Sequence, residues 1–225
     1  MLRRWMQQWA LPQHCVLCGE PGASLCEPCH EDLPGLRSPR CPICAASSVR
    51  AERCGQCLTH PPRFAKVSAA VSYGFPIDAV IRRLKYAGDL SLIDPLASLL
   101  IECVRDEMRP SCLVPMPLSA QRLRERGFNQ SHEIARSLAR RLNIPIAASA
   151  CRRIRDTPPQ AALPLTERRA NIRGAFECSS SLDGARIAVV DDVLTSGATL
   201  NELARVLLRA GAAEVTGWVV ARTER

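Results

Sequence analysis

Asp191 and Asp192 follow four apolar residues, Ile187 to Val190, and precede the hydroxyl-rich run Thr195-Ser196-Gly197-Ala198-Thr199. These residue types in this order suit a phosphorylated sugar. Adjacent carboxylates accept from the two cis hydroxyls of a ribose. The first N–H groups of a helix lack intrahelical partners and carry partial positive charge, so they take a phosphate. Gly197 lets the backbone approach the anion, while Thr195, Ser196 and Thr199 add hydroxyl donors. The apolar run reads as a buried strand that ends at the acids, and the loop opens a helix running to about Leu208. The plainer alternative is a strand-turn-helix with solvated acids, which does not require all the pieces to coincide.

A second chemistry lies in the cysteines. Eight of the twelve form four C-x-x-C pairs: Cys15/Cys18, Cys26/Cys29, Cys41/Cys44 and Cys54/Cys57. Two residues between cysteines let both sulfurs reach one zinc ion, and eight thiolates fill two tetrahedral sites. Sequential pairing places Cys15, Cys18, Cys26 and Cys29 on one ion and Cys41, Cys44, Cys54 and Cys57 on the other; interleaved pairing stays open. An all-thiolate site leaves no open coordination position, so the zinc is structural. His14, His30 and His60 are not needed as ligands. Redox and iron–sulfur readings fit the four even pairs less well. Cys103, Cys112, Cys151 and Cys178 are scattered and read as buried or free thiols.

A chain of 225 residues suffices for one α/β domain and a small module. At 47% hydrophobic content most of the chain packs into a core. The net charge of +8 favours anionic partners, nucleic acid or phosphate-bearing ligands, or reflects a generally basic surface. No stretch approaches the ~20 apolar residues of a membrane span. No secretory leader is seen at the start, so a cytoplasmic location is expected. Trp5, Met6 and Trp9 suit one face of a short helix, and are read as an N-terminal turn packed on the protein in preference to a membrane or partner anchor. Residues 13–62, rich in Cys, Pro and Gly, form a module that depends on metal to fold. A second domain covers 65–225. Strands are predicted at Val67–Tyr73, Cys112–Pro115 and Val215–Ala221, and helices at Ile77–Tyr86, Leu92–Met108 and Asn129–Leu142. A loop and strand are predicted over Ile144–Cys151, with a short helix near Thr166–Asn171. Alternating strands and helices predict a mainly parallel sheet whose ligand lies beyond the strand C-termini.

The segment IAVVDD…TSGAT resembles the PRPP-binding loop of type I phosphoribosyltransferases. That resemblance implies ribose hydroxyls on Asp191 and Asp192, the 5′-phosphate on Thr195–Thr199, and Mg²⁺ bound with PRPP. Further segments are LKYAGD (84–89), VPMPL (114–118), RLRERGFNQ (122–130), RDTPPQ (155–160) and ERRANIRGAF (167–176). With the Cys-rich head, they resemble the ComF family of competence proteins. The family resemblance implies a cytoplasmic protein with a type I phosphoribosyltransferase domain of Rossmann-like α/β fold, preceded by a double zinc ribbon and associated with natural transformation.

Arg122, Arg124 and Arg126 suit a phosphate or a nucleic-acid backbone, or simply a solvated helix. Asn129 reads equally as helix cap and as ligand. Lys85 reads equally as a snorkelling lysine and as a phosphate contact. The resemblance to phosphoribosyltransferases implies a hood that closes over PRPP, for which residues 155–173, after Arg152 and Arg153, are the candidate; the alternative is an ordered surface loop. Two functions follow. One is a PRPP site, with catalysis undecided, in which Asp191 and Asp192 stabilise the charge of phosphoribosyl transfer. The other is binding of single-stranded DNA and the DNA-import machinery through the basic residues.

Overall fold

A computed structural model describes residues 13–156 and 168–224. The N-terminal face of Trp5, Met6 and Trp9 and most of the hood segment lie outside the described residues. Along the chain run α1 (Glu27–Glu31), α2 (Gly55–Thr59), β1 (Lys66–Tyr73), α3 (Ile77–Arg82), α4 (Ile93–Cys103), β2 (Cys112–Pro115), α5 (Ala120–Arg126), α6 (Gln130–Leu142), β3 (Cys151–Arg153), α7 (Arg168–Ile172), β4 (Phe176–Cys178), β5 (Arg186–Leu194), α8 (Ala198–Arg209) and β6 (Glu214–Thr223). An all-parallel sheet runs in the order β1-β6-β5-β2, and β3 pairs antiparallel with β4 in a separate ribbon. Beyond β2, Ile146 makes a parallel bridge to Leu113.

The near-continuous apolar run of β5 is what a strand covered on both faces requires. Its side chains alternate. Ile187 and Val189 join the core containing Leu200, Leu203 and Leu207 of α8. Ala188 and Val190 join the core containing Leu96 and Leu100 of α4 and Ile134 and Leu138 of α6. Gly217 in β6 permits the close approach of α8, because a Cβ there would lie 2.6 Å from a Leu200 methyl.

Three expectations are corrected. β5 does not stop at the acids but runs on to Leu194, because Asp191 and Val193 keep their ladder register with Val219 and Ala221. The helix predicted to Met108 ends at Cys103. Glu107 is drawn back onto Lys66 Nζ and Ser68 Oγ of β1, which turns the chain. The helix predicted over Ile77–Tyr86 is α-helical only to Arg82; Arg83–Ala87 form a π-helical turn closed by Gly88 in the left-handed region. Such π turns shift side-chain register by about one residue and cluster at functional sites.

Candidate functional site

The carboxylates stand near the C-terminal end of β5, where ligands of parallel sheets bind. Asp191 Oδ1 accepts from Ser131 Oγ in the first turn of α6 and from the Asp192 backbone N–H, each at 2.9 Å. Asp192 is 3% exposed. Its Oδ2 lies 2.8 Å from Lys85 Nζ, carried by the π turn. That contact is an ion pair without hydrogen-bond alignment, so the buried Oδ2 retains acceptor capacity. Burial first, and the Asp192 charge second, push Asp191 up to about 7 against the pull of Lys85 and Ser131. Lys85 is thus the counter-charge of the acid pair.

The arginines divide. Ser119 caps α5 by accepting from the Arg122 N–H. Arg122 and Arg126, four residues apart, share one half-buried face, while Arg124 is exposed on another. Arg126 donates to Gln130 Oε1 at 3.0 Å and stacks 5.5 Å from the Tyr86 ring centre. That contact joins the RLRERGFNQ and LKYAGD segments. Arg153 of β3 is held below its ordinary value by burial and by the Arg122 charge, opposed by Asp156 and Asp191. Arg122, Arg153 and Asp191 are therefore electrostatic neighbours. Arg152, by contrast, pairs across the ribbon with Glu177 at 2.8 Å. Asn129 is the cap of α6, accepting from Ser131 and His132 N–H and donating to Met116 O at 3.0 Å.

The loop between β5 and α8 turns at Gly197, whose φ of +76° disfavours any side chain. Ser196 Oγ accepts from the Ala198 N–H at 3.3 Å. The loop is held from behind by Arg222 of β6, which is 2% exposed. Its Nη1 donates to Leu194 O at 3.1 Å and to Thr195 O at 2.7 Å, and its Nε donates to Cys44 O at 2.9 Å. A trans peptide points its C=O and the next N–H in opposite directions. Anchoring the Thr195 carbonyl therefore turns the Ser196 N–H away from Arg222. A cavity of about 290 Å³ lies between the loop and the cysteine head, lined by Gln56, His60, Pro62, Phe64, Gly197 and Asn201 among others. Neither Asp191 nor Asp192 lines it. Arg222 sits at the far end of the chain and was not singled out from sequence. Its only advance signal was a charged residue following the apolar run of the last strand.

The sequential cysteine pairing holds. Cys15, Cys18, Cys26 and Cys29 form one group and Cys41, Cys44, Cys54 and Cys57 another, with ligand atoms all within 4.8 Å of one another. The Cys18–Cys26 and Cys44–Cys54 sulfurs are each 3.6 Å apart. A zinc tetrahedron with Zn–S near 2.3 Å needs roughly 3.8 Å between sulfurs, so both groups fit the ion. Burial opposes the Cys15 thiolate, yet N–H groups of Cys26, Cys18 and Leu17 bring it down to about 6. Cys41, likewise buried, is brought down to about 7 by N–H groups of Cys54, Cys44 and Ile43. Cys29 and Cys57 are instead pushed up, Cys29 by hydrogen bonding with Cys26 and Cys57 by burial, so the backbone favours one thiolate in each group. No helix among the described residues is long and apolar enough to cross a membrane.

Known proteins match these parts in the same order. A double zinc ribbon domain matches residues 6–58, and a phosphoribosyl transferase domain matches residues 129–224. Competence protein F of Haemophilus influenzae is 33% identical over 88% of this chain and 90% of its own. The chain belongs to the ComF family. DNA utilization protein YhgH of Escherichia coli K12, 32% identical over 95% of this chain and 98% of its own, is a second relative. Among solved structures, the allosteric regulatory enzyme of purine biosynthesis overlays 58% of this chain and 25% of its own. Its identity is 21% and its TM-score 0.39, too low to bear on the site. A ComF chain thus joins a phosphoribosyltransferase-type parallel sheet to a head with two four-cysteine groups.

Proposed function

We propose that this ComF-family chain binds PRPP, or another phosphoribosyl ligand, with Mg²⁺, and that it serves DNA uptake or utilisation in the cytoplasm. The observation that carries the reading is the placement of Asp191 and Asp192 on β5 just ahead of the Thr195–Thr199 loop, with Lys85 paired to Asp192 and Arg153 sensing the charges of Asp191 and Arg122. The ribose hydroxyls lie on the acids. The 5′-phosphate takes the N–H and hydroxyl groups of residues 195–199 at the start of α8. The cations balance the pyrophosphate, with Arg126 held in reserve by Gln130. Arg124, exposed, contributes long-range attraction only. In this reading residues 13–62 are the zinc-holding head and 65–225 the ligand domain.

Magnesium is bound by one or two carboxylates and by substrate phosphates. Asp192 Oδ2, buried with acceptor capacity left, fits that requirement. When bound, the ion would neutralise charge on the departing pyrophosphate. Asp191 and Asp192 face the place where positive charge grows on the ribose ring during transfer, which would make them the catalytic pair. Transferase activity needs an acceptor, so ligand binding is the first property to establish. The DNA role rests on the names of the relatives and on the +8 charge. It makes the phosphoribosyl site a phosphate grip or sensor on a DNA-handling protein.

Calorimetric titration of PRPP into zinc-loaded protein, with and without Mg²⁺, tests the proposal. Saturable, magnesium-dependent binding is expected, lost in Asp191→Ala/Asp192→Ala. Absence of binding at millimolar PRPP overturns it. A parallel titration with single-stranded DNA should weaken steeply with salt, as phosphate neutralisation requires.

A further inference from the structure

We propose that Cys151 and Cys178 form a reversible disulfide, a modification site separate from both zinc groups. The two residues face each other in the β3–β4 ribbon. The Ser179 N–H donates to Ala150 O at 3.1 Å, and the Ile154 N–H donates to Ala175 O at 2.8 Å. Antiparallel pairs alternate between hydrogen-bonded and non-hydrogen-bonded types. Because 150/179 and 154/175 are hydrogen-bonded pairs, 151/178 is a non-hydrogen-bonded pair. Such pairs hold their Cα atoms roughly 4.5 Å apart with side chains close together. That separation lies within the range of about 4.4–6.8 Å that a disulfide spans. The sulfurs sense each other as well: burial pushes the Cys151 thiol up, and hydrogen bonding with Cys178 pushes it further.

The two thiols differ in access. Cys151 is 5% exposed, whereas Cys178 is half-buried. Cys178 also lines a separate cavity of about 280 Å³ with Glu177, Arg205, Val206 and Arg209. Arg205 is engaged by Glu202 at 2.6 Å, leaving Arg209 to attract an anionic reagent. A carboxylate-bearing low-molecular-weight disulfide such as glutathione disulfide suits that wall. The Cys178 thiolate attacks one of its sulfurs and expels one thiolate, giving a mixed disulfide. Cys151 then loses its proton and attacks the Cys178 sulfur, expelling the second thiolate. Two protein thiols are oxidised, and one reagent disulfide is reduced to two thiols. The product ties β3 to β4 and so fixes the ribbon that carries Arg153.

The test uses full-length, zinc-loaded protein in a glutathione/glutathione-disulfide buffer. Quenching, denaturing alkylation and peptide mapping follow, with zinc measured in parallel. The expected result is loss of two of the twelve alkylation sites, mapped to a Cys151–Cys178 link, with zinc retained and the link reversed by dithiothreitol. In Cys151→Ala the mixed disulfide should accumulate on Cys178. In Cys178→Ala, Cys151 should stay reduced. The proposal is overturned if both residues remain alkylatable, if either links to Cys103 or Cys112 instead, or if zinc ligands oxidise before the link forms.

Discussion

The two four-cysteine groups offer the same ligands in the same C-x-x-C pairs, with seven residues between the pairs in the first and nine in the second, yet they grip opposite sides of the sheet. The first is fastened to the α4 side. Cys15, Leu25 and Leu33 are buried in that core, and Ser24 Oγ donates to Ser91 O at 2.8 Å. The second is fastened to the α8 side. Ala45 is buried there, and the Val67 N–H donates to Ile43 O at 2.8 Å. Arg40 pairs with Glu224 at 2.8 Å. Arg222 then carries the connection from Cys44 O to Leu194 O and Thr195 O, while the Phe64 ring lies beneath Gly197. Equal metal chemistry thus serves unequal ends: one group staples a core, and the other braces the loop proposed to hold phosphate.

The comparison breaks most readily at the metals. Cys54→Ser/Cys57→Ser should remove one zinc and weaken PRPP binding by roughly 100-fold, about 2.7 kcal/mol. Cys18→Ser/Cys29→Ser should remove the other zinc with affinity held within about threefold, though Tm falls in both. Metal analysis beside calorimetry reads both, and equal affinity losses would erase the distinction. Arg222→Met isolates the connection without touching a ligand. It strips four carbonyls, those of Cys44, Leu194, Thr195 and Thr223, of a buried partner, each worth about 1–3 kcal/mol when left unsatisfied. Denaturant unfolding should show a loss of several kcal/mol, with zinc content unchanged and faster amide exchange in residues 195–199.

Smaller effects sharpen the site itself. Arg122→Ala should cost PRPP about 1–2 kcal/mol of binding, while Arg124→Ala should change it by less than about 0.5 kcal/mol. The pH dependence is subtler. Asp191 stands at about 7 in the folded chain, above the ordinary carboxylate value near 3.9. Folding therefore favours its protonated form. The stability it contributes is whole below about pH 4 and is lost as pH rises through about 7. Across that window, Tm of the wild type should fall relative to Asp191→Asn. PRPP affinity should move the other way, rising as the hydroxyl acceptor ionises.

Local signals were legible in the sequence and distant ones were not. The run from Ile187 to Thr199 announced a strand, acids and a glycine-opened helix because those features depend on adjacent residues. The C-x-x-C pairs announced their sites for the same reason. Lys85 did not reveal its partner, because the π turn at Arg83–Ala87 changes which side chains face Asp192. Arg122 and Arg124 look alike in a string and separate only once α5 is wound. Arg222 reads as an ordinary strand-end arginine until the sheet order brings β6 beside β5 and the cysteine head folds against it.

The most direct test of the account is hydrogen exchange of the zinc-loaded chain with and without PRPP and Mg²⁺. Binding as proposed slows exchange in peptides covering Thr195–Asn201 and the start of α6 at Ser131, and Asp191→Ala/Asp192→Ala abolishes the effect. Unchanged exchange in those peptides while PRPP binds, or protection confined to another surface, would contradict it.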